Sequence, residues 1–366
     1  MAGRIVVFGA TGYTGRLTAE ALVERGARPL LAARNVERLR ELGDELGGLE
    51  IAVADVSKPR SVRELVEQGD VLVSTVGPFA RWGDPAAEAA IEAGARYLDS
   101  TGEPAFIRRV FEEFGPRAET ADIGMVTAFG YDWVPGNLAG ALALRDAGEA
   151  ATRVAVAYFM TGDAGGGMSG GTAASTAGAM LEPVFAWRGG RIQTERSAKR
   201  VASFEVRGRT RQGVSVGSSE HFTLPRIHPS LDEVDVYLGW FGPLSRPLQA
   251  FSAGTAVATR VPGVKAVSEA LASRFVKGST GGPDAAARAK SGSHILATAH
   301  DSSGRQLAEV RVEGVNGYDF TGRILAWGAE TAAAGGTNGR GALGPVEAFG
   351  LDGLEAGCRE AGIERV

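Results

Sequence analysis

A glycine-bearing turn near the amino terminus, set between an apolar run and a helical pattern, restricts the fold more than any other feature. Ile5-Val6-Val7-Phe8 leads directly into Gly9-Ala10-Thr11-Gly12-Tyr13-Thr14-Gly15, and the amphipathic stretch Leu17–Arg25 follows. A strand that passes into a helix over so few residues needs a glycine to turn tightly. It needs a second where backbone must approach a ligand, and a third where helix packs on strand. The new helix start offers unpaired N–H groups, which suit a phosphate. The spacing is GxxGxxG and not the strict GxGxxG.

The residues that follow keep the same rhythm. Arg4–Phe8, Pro29–Ala33, Glu50–Ala54, Val71–Val76, Arg96–Asp99 and Gly124–Ala128 read as strands. Leu17–Arg25, Val36–Leu46 and Pro85–Ala93 read as helices between them. Such alternation predicts a parallel sheet covered on both faces. From about residue 145 the pattern changes. Arg153–Met160, Ala202–Arg211, Val214–Leu224 and Val234–Leu238 alternate like half-buried strands. His294–His300 and Gln306–Glu313 flank the hairpin turn Asp301–Arg305. The end of the chain returns to Ala/Gly-rich helix. The expected fold is α/β: a Rossmann-like domain over 1–140, an inserted α+β substrate or dimerisation domain over 141–317, and C-terminal helices over 318–366 packing back on the first.

Composition excludes several classes of function. Hydrophobic residues are 44% and charged residues 22% of the chain, enough for a sizeable core. The single cysteine, Cys358, rules out an intrachain disulfide, and the four histidines show no metal-ligand spacing. A net charge of −4 gives no reason to expect nucleic acid. The N-terminus reads as a strand start and not as a signal segment. The least polar stretches, 123–144 and 236–259, are broken by Gly, Pro and charge, so no membrane span is expected. A cytoplasmic protein is the expectation.

The second strand points to a particular dinucleotide. Where an NAD site places an acid on the ribose, this chain has Leu31-Ala32-Ala33-Arg34-Asn35. Arg34, with Asn35 beside it, can pair with a 2′-phosphate that an acid would repel. NADP(H) is therefore favoured over NAD(H), against the plainer reading of a solvated arginine. Asp55 and Val56 close the third strand, where an acceptor would meet the adenine amine. Thr75-Val76-Gly77-Pro78-Phe79 closes the fourth, at the carboxyl edge where such sheets bind ligands. Gly9, Thr11, Gly12, Tyr13, Thr14 and Gly15 complete the expected cofactor contacts.

Several blocks in order resemble the saccharopine dehydrogenase-like NADP-binding reductases, in particular their trans-acting enoyl reductase branch. They are Gly9–Gly15, Val76–Phe79, Tyr97-Leu98-Asp99-Ser100-Thr101-Gly102-Glu103, Gly130-Tyr131-Asp132-Trp133-Val134-Pro135, Ser169-Gly170-Gly171-Thr172 and Gly344–Gly350. The family often has Gly-Phe-Asp where this chain has Gly130-Tyr131-Asp132, which adds a phenol. The resemblance implies NADPH-dependent reduction and fixes no substrate.

A nicotinamide reductase asks the protein for position and for a proton or hydrogen bond. Tyr131 is the first candidate donor, against a core tyrosine with a satisfied hydroxyl. Asp132 would orient it or bind a cationic substrate, against a turn role before Val134-Pro135. Asp99 and Glu103 read as caps more readily than as acid/base groups. Ser169 lies in the glycine-dense Gly162–Thr172 and would supply a hydroxyl to the site. Between Arg188 and Arg211, eight basic residues face two glutamates, a local excess of +6. That excess would steer a coenzyme A thioester or dock an acyl carrier protein, or is simply a solvated strand face. Val236–Ala258 reads as a pocket wall, a homodimer interface or ordinary core. Three functions are open at this point: reduction of a conjugated C=C bond on a small-molecule or acyl-thioester substrate, saccharopine-type C=N chemistry, and non-catalytic NADP(H) binding.

Overall fold

A computed structural model describes residues 3–162, 183–258 and 281–366. In chain order the first elements are β1 (Ile5–Phe8), α1 (Tyr13–Glu24), β2 (Leu30–Ala33), α2 (Val36–Glu45), β3 (Ile51–Val53), β4 (Val71–Ser74), α3 (Asp84–Ala93), β5 (Arg96–Asp99) and β6 (Gly124–Val126). Next come α4 (Val134–Ala147), β7 (Arg153–Gly162), β8 (Pro183–Arg188), β9 (Arg191–Arg196), β10 (Val201–Val206), β11 (Arg209–Ser215), α5 (Glu220–Ile227) and β12 (Glu233–Leu238). They are followed by α6 (Ser245–Ala258), β13 (Ser291–His300), β14 (Gln306–Gly314), α7 (Gly317–Ala333), β15 (Gly341–Ala342), α8 (Leu351–Ala361) and β16 (Ile363–Arg365). Two compact units result. One holds residues 1–102, 106–134 and 315–363, the other 103–105, 135–314 and 364–366.

The first unit is a seven-stranded sheet in the order β15-β6-β5-β4-β1-β2-β3. Every pairing in it is parallel. β1, β2 and β4 are buried at all four positions, as strands covered on both faces must be. The strand order reverses between β1 and β4, and ligands of such sheets bind at the carboxyl ends beside that reversal. The carboxy-terminal segment returns here, as the sequence implies. α7 packs on α1 where Gly322 brings the backbones together: a Cβ there would stand 3.0 Å from the Leu17 backbone.

The second unit is a mixed sheet in the order β10-β11-β12-β7-β13-β14-β16, with β8 paired to β12 and β9. β7 runs parallel to β12 and antiparallel to β13. One face buries Ala157, Phe159, Val206 and Tyr237, with Phe204 edge-on to Phe159 at 5.7 Å. A polar cluster lies on β7, α4 and α5. The Tyr158 hydroxyl donates to Glu220 Oε1 at 2.7 Å and accepts from the Gly136 amide at 2.8 Å. Asn137 Nδ2 donates to Ser219 Oγ at 3.0 Å, and Thr223 Oγ1 donates to Asn137 Oδ1.

Two expectations in this unit are corrected. Ala202–Arg211 is not one strand but parts of two, because Arg207 and Gly208 both adopt positive φ and turn the chain into a hairpin. Val214–Leu224 leaves the sheet after Ser215 and becomes α5 from Glu220 onward. Its alternation is met by buried hydrogen bonds of Ser219, Glu220 and Thr223 and not by strand pairing. The later half of the 236–259 segment is the helix α6, which the sequence left unassigned.

Candidate cofactor and catalytic site

The glycine turn is built as its spacing requires. Gly9 has φ +93, and a Cβ on it would lie 2.6 Å from Thr75 Oγ1. A Cβ on Gly15 would collide with the Gly9 carbonyl oxygen and stand 2.7 Å from the same hydroxyl. Thr75 is fixed in turn, its amide donating to Phe8 O at 2.9 Å and its Oγ1 to the same oxygen at 3.1 Å. Gly12 is the N-cap of α1, with no side-chain cap and no acid in the first turn. These residues fit a dinucleotide pyrophosphate.

At the end of β2, Arg34 is exposed and forms no ion pair among the described residues. Asn35 caps α2, its Oδ1 accepting from the Arg38 amide at 2.8 Å, so only its amide nitrogen is open to a ligand. Asp55 accepts from the Ser57 amide at 2.8 Å. That bond, with Arg34 and Lys58 nearby, holds its carboxyl below the usual range. Val56 and Val76 are half-buried beside these loops, and Gly77–Pro78 is a cis peptide. Phe79 is in the core, 5.5 Å from Phe106 between ring centroids.

Asp99 organises the next loop. Its Oδ1 accepts from the Thr101 and Ala128 amides, each at 2.9 Å, and its Oδ2 accepts from Thr127 Oγ1 at 2.7 Å. Its carbonyl accepts from the Phe129 amide at 2.7 Å. Full burial still raises its carboxyl to about 6. These bonds tie residues 127–129 to the carboxyl end of β5, and the loop then carries Tyr131 and Asp132.

Asp132 is half-buried as a residue, but its Oδ1 is buried and meets no hydrogen-bond donor among the described residues. Its Oδ2 lies over Gly102, where a Cβ would stand 2.7 Å away. Burial alone raises this carboxyl to about 7, and no charged neighbour contributes. Tyr131 is buried, its amide donating to Thr321 Oγ1 at 2.9 Å and its ring against Gly317. Ser169 lies outside the described residues.

The sequence did not single out the start of α7. Asn316 caps it, accepting from the Tyr318 amide at 2.8 Å. Tyr318 meets Tyr13 of the glycine turn edge-on at 5.1 Å. One helix start thus braces both the glycine turn and the Tyr131 loop. The cap string Asn316-Gly317 was the available signal, but its partners are about 190 to 300 residues away in sequence.

The basic stretch proves largely self-neutralised. Arg188 pairs with Asp235 and Glu233, Arg200 with Glu195 and Asp235, Lys199 with Glu195, and Arg207 with Glu313. Arg196 and Arg211 donate to backbone carbonyls. Among the described residues only Arg191 and Arg209 of the eight lack such partners.

Residues 5–123 match the saccharopine dehydrogenase NADP binding domain family. A trans-acting enoyl reductase of Mycobacterium ulcerans is 39% identical over 140 residues, 37% of this chain and 34% of that protein. One from Mycobacterium tuberculosis is 37% identical over 140 residues, again 37% of this chain and 34% of its own. The match therefore spans about a third of the length of these relatives. Saccharopine dehydrogenase (L-Glu forming) of Saccharomyces cerevisiae shares the fold at a TM-score of 0.63, with 12% identity and 100% of each chain covered. Among the described residues, no helix is long and apolar enough to cross a membrane.

Proposed function

We propose that this chain, whose residues 5–123 match the saccharopine dehydrogenase NADP binding domain family, is an NADPH-dependent oxidoreductase that reduces a conjugated C=C bond of an acyl-thioester substrate. The amide-lined start of α1 and Gly12 would hold the pyrophosphate, and Arg34 the 2′-phosphate. When bound, NADPH supplies the hydride.

The observation that carries the reading is the Asp132 carboxyl, whose buried Oδ1 has no partner among the described residues and which burial raises to about 7. Saturating an enoyl thioester builds negative charge on the carbonyl oxygen and requires a proton at the α-carbon. A carboxylic acid still about half protonated at neutral pH delivers that proton, and the Tyr131 hydroxyl supplies a donor to the developing oxyanion. Asp99 fixes the loop that presents both. The alternative C=N substrate is amino-dicarboxylate-like and needs convergent cations. Among the described residues no Arg or Lys shifts the Asp132 carboxyl, which lies over Gly102, while Tyr131 is seated by Gly317 and Thr321.

The test is NADPH oxidation on a short-chain enoyl-coenzyme A, read at 340 nm, for wild type and Asp132→Asn. Wild-type turnover should fall as pH rises through about 7, and the variant should lose at least a hundredfold in kcat with NADPH affinity kept. Failure to bind NADPH, or an unchanged kcat and pH profile in the variant, overturns the reading.

A further inference from the structure

Ala128 sits in the left-handed region, at φ +57, where a residue with a Cβ is strained. Nothing in its own chemistry favours that conformation, which glycine adopts freely. Bonds at both of its backbone groups hold it there. Its amide donates to Asp99 Oδ1 at 2.9 Å, and its carbonyl accepts from the Trp133 amide at 2.9 Å. The second bond closes residues 128–133 into a loop that carries Tyr131 and Asp132, and the Val134 amide then donates to the Gly130 carbonyl at 2.9 Å. The turn at Ala128 therefore sets the course of the chain through Asp132. Its side-chain anchor is the Asp99 carboxylate.

That anchor is sensitive to its own charge. Asp99 is fully buried, and its carboxyl is held by donors: the Thr101 and Ala128 amides on Oδ1, and Thr127 Oγ1 on Oδ2. An amide cannot reverse its role, so a proton on the carboxyl is accommodated at Oδ2, facing the Thr127 hydroxyl. Protonation turns the charge-assisted bonds into neutral ones, which are roughly half as strong. Less then opposes the strain at Ala128. Around Asp99 stand Tyr97 on its own strand, Ser74 opposite it on β4, and Thr127 after β6. Asp84, at the start of α3, pairs with Arg109 and acts on Tyr97. The groups that shift Asp99 are all uncharged, and with burial they leave its carboxyl at about 6. Asp132 is moved by burial alone, so the two carboxyls titrate independently.

We propose that Asp99 is a charge-dependent positioning residue: ionised, it holds Ala128 in the left-handed turn and seats the Asp132 loop, and protonated, it lets that loop relax. Its effect on turnover rests on the reading of Asp132 as proton donor, whereas its effect on the loop does not. Turnover then has an acid limb set by Asp99 and an alkaline limb set by Asp132, with its maximum between about 6 and about 7.

The experiment is amide hydrogen exchange of the whole chain at pH 5 and pH 7, corrected for intrinsic rates and read on peptides covering 127–133. The proteins are wild type, Asp99→Asn, Ala128→Gly and the double variant, each also assayed for NADPH oxidation on enoyl-coenzyme A across pH. Wild-type exchange in these peptides should be about tenfold faster at pH 5 than at pH 7. Asp99→Asn should be fast at both, and Ala128→Gly slow at both, because glycine needs no anchor to hold this φ. In turnover, Asp99→Asn should lose about tenfold in kcat at pH 7 and show no acid limb, with NADPH affinity kept. Adding Ala128→Gly should restore most of that kcat. The proposal is overturned if wild-type exchange is alike at the two pH values, if Asp99→Asn keeps the acid limb, or if Ala128→Gly restores nothing. If Asp99→Asn does not fold, Ala128→Gly decides: an acid limb and pH-dependent exchange identical to wild type overturn the proposal. pH-dependent exchange abolished by Ala128→Gly, in a chain that does not turn over the enoyl substrate, supports the switch and refutes the enoyl reading instead.

Discussion

Replacing Asp132 by Asn removes a charge that the fold accommodates poorly, and the pH dependence of stability should show it. Burial raises the carboxyl from 3.8 to about 7, and unfolding returns it to water. Between those two values the folded chain binds more protons than the unfolded one, so stability falls as pH rises through that window and levels off above about 7. The ratio of the two binding polynomials gives a cost of about 2 kcal/mol at pH 5 and about 4 kcal/mol at pH 9. The Asp132→Asn variant has no such group. Its stability relative to wild type should therefore improve by about 2–3 kcal/mol between pH 5 and pH 9. Urea unfolding of both proteins at the two pH values, followed by circular dichroism, measures this difference. Parallel pH dependences would show that the carboxyl titrates normally, and the proton-donor argument would fail with it.

Arg34→Asp should raise the Kd for NADPH about thirtyfold, worth about 2 kcal/mol, with NADH little changed in fluorescence titration. Equal losses for both cofactors would place Arg34 away from the 2′-phosphate. Gly15→Ala drives a Cβ onto the Gly9 carbonyl and the Thr75 hydroxyl, so it should destabilise the chain by about 2 kcal/mol in urea and weaken NADPH at least tenfold. Unchanged binding would mean that the turn does not hold the cofactor. Tyr158→Phe removes the hydroxyl shared by Glu220 and the Gly136 amide. It should cost about 1–3 kcal/mol in urea unfolding while leaving NADPH affinity unaltered, and a loss of NADPH affinity instead would refute a purely structural role.

The parallel sheet was legible because its information is local. Four-residue apolar runs, helices of ordinary length and a glycine triplet each declare themselves within about fifteen residues, and β1, α1 and β2 lie where the pattern placed them. The second unit was less legible for the opposite reason. Val214–Leu224 alternates like a strand, yet Ser219, Glu220 and Thr223 find their partners on Asn137 and Tyr158, more than 60 residues away. Ala202–Arg211 conceals a hairpin, because Arg207 at positive φ carries no residue-type signal of its own.

The candidate site divides in the same way. The sequence alone determined the turn at Gly9–Gly15, the basic residue at the end of β2 and the loop with Tyr131 and Asp132, since glycine and charge identities are written in the chain. Only the tertiary structure decided what surrounds them. Burial raises Asp132, Thr321 and Gly317 seat Tyr131 from a segment about 190 residues later, and Glu313 and Asp235 neutralise arginines that the sequence left as open charge. A pKa, a seat and an ion pair are properties of neighbours, and a chain acquires neighbours only by folding.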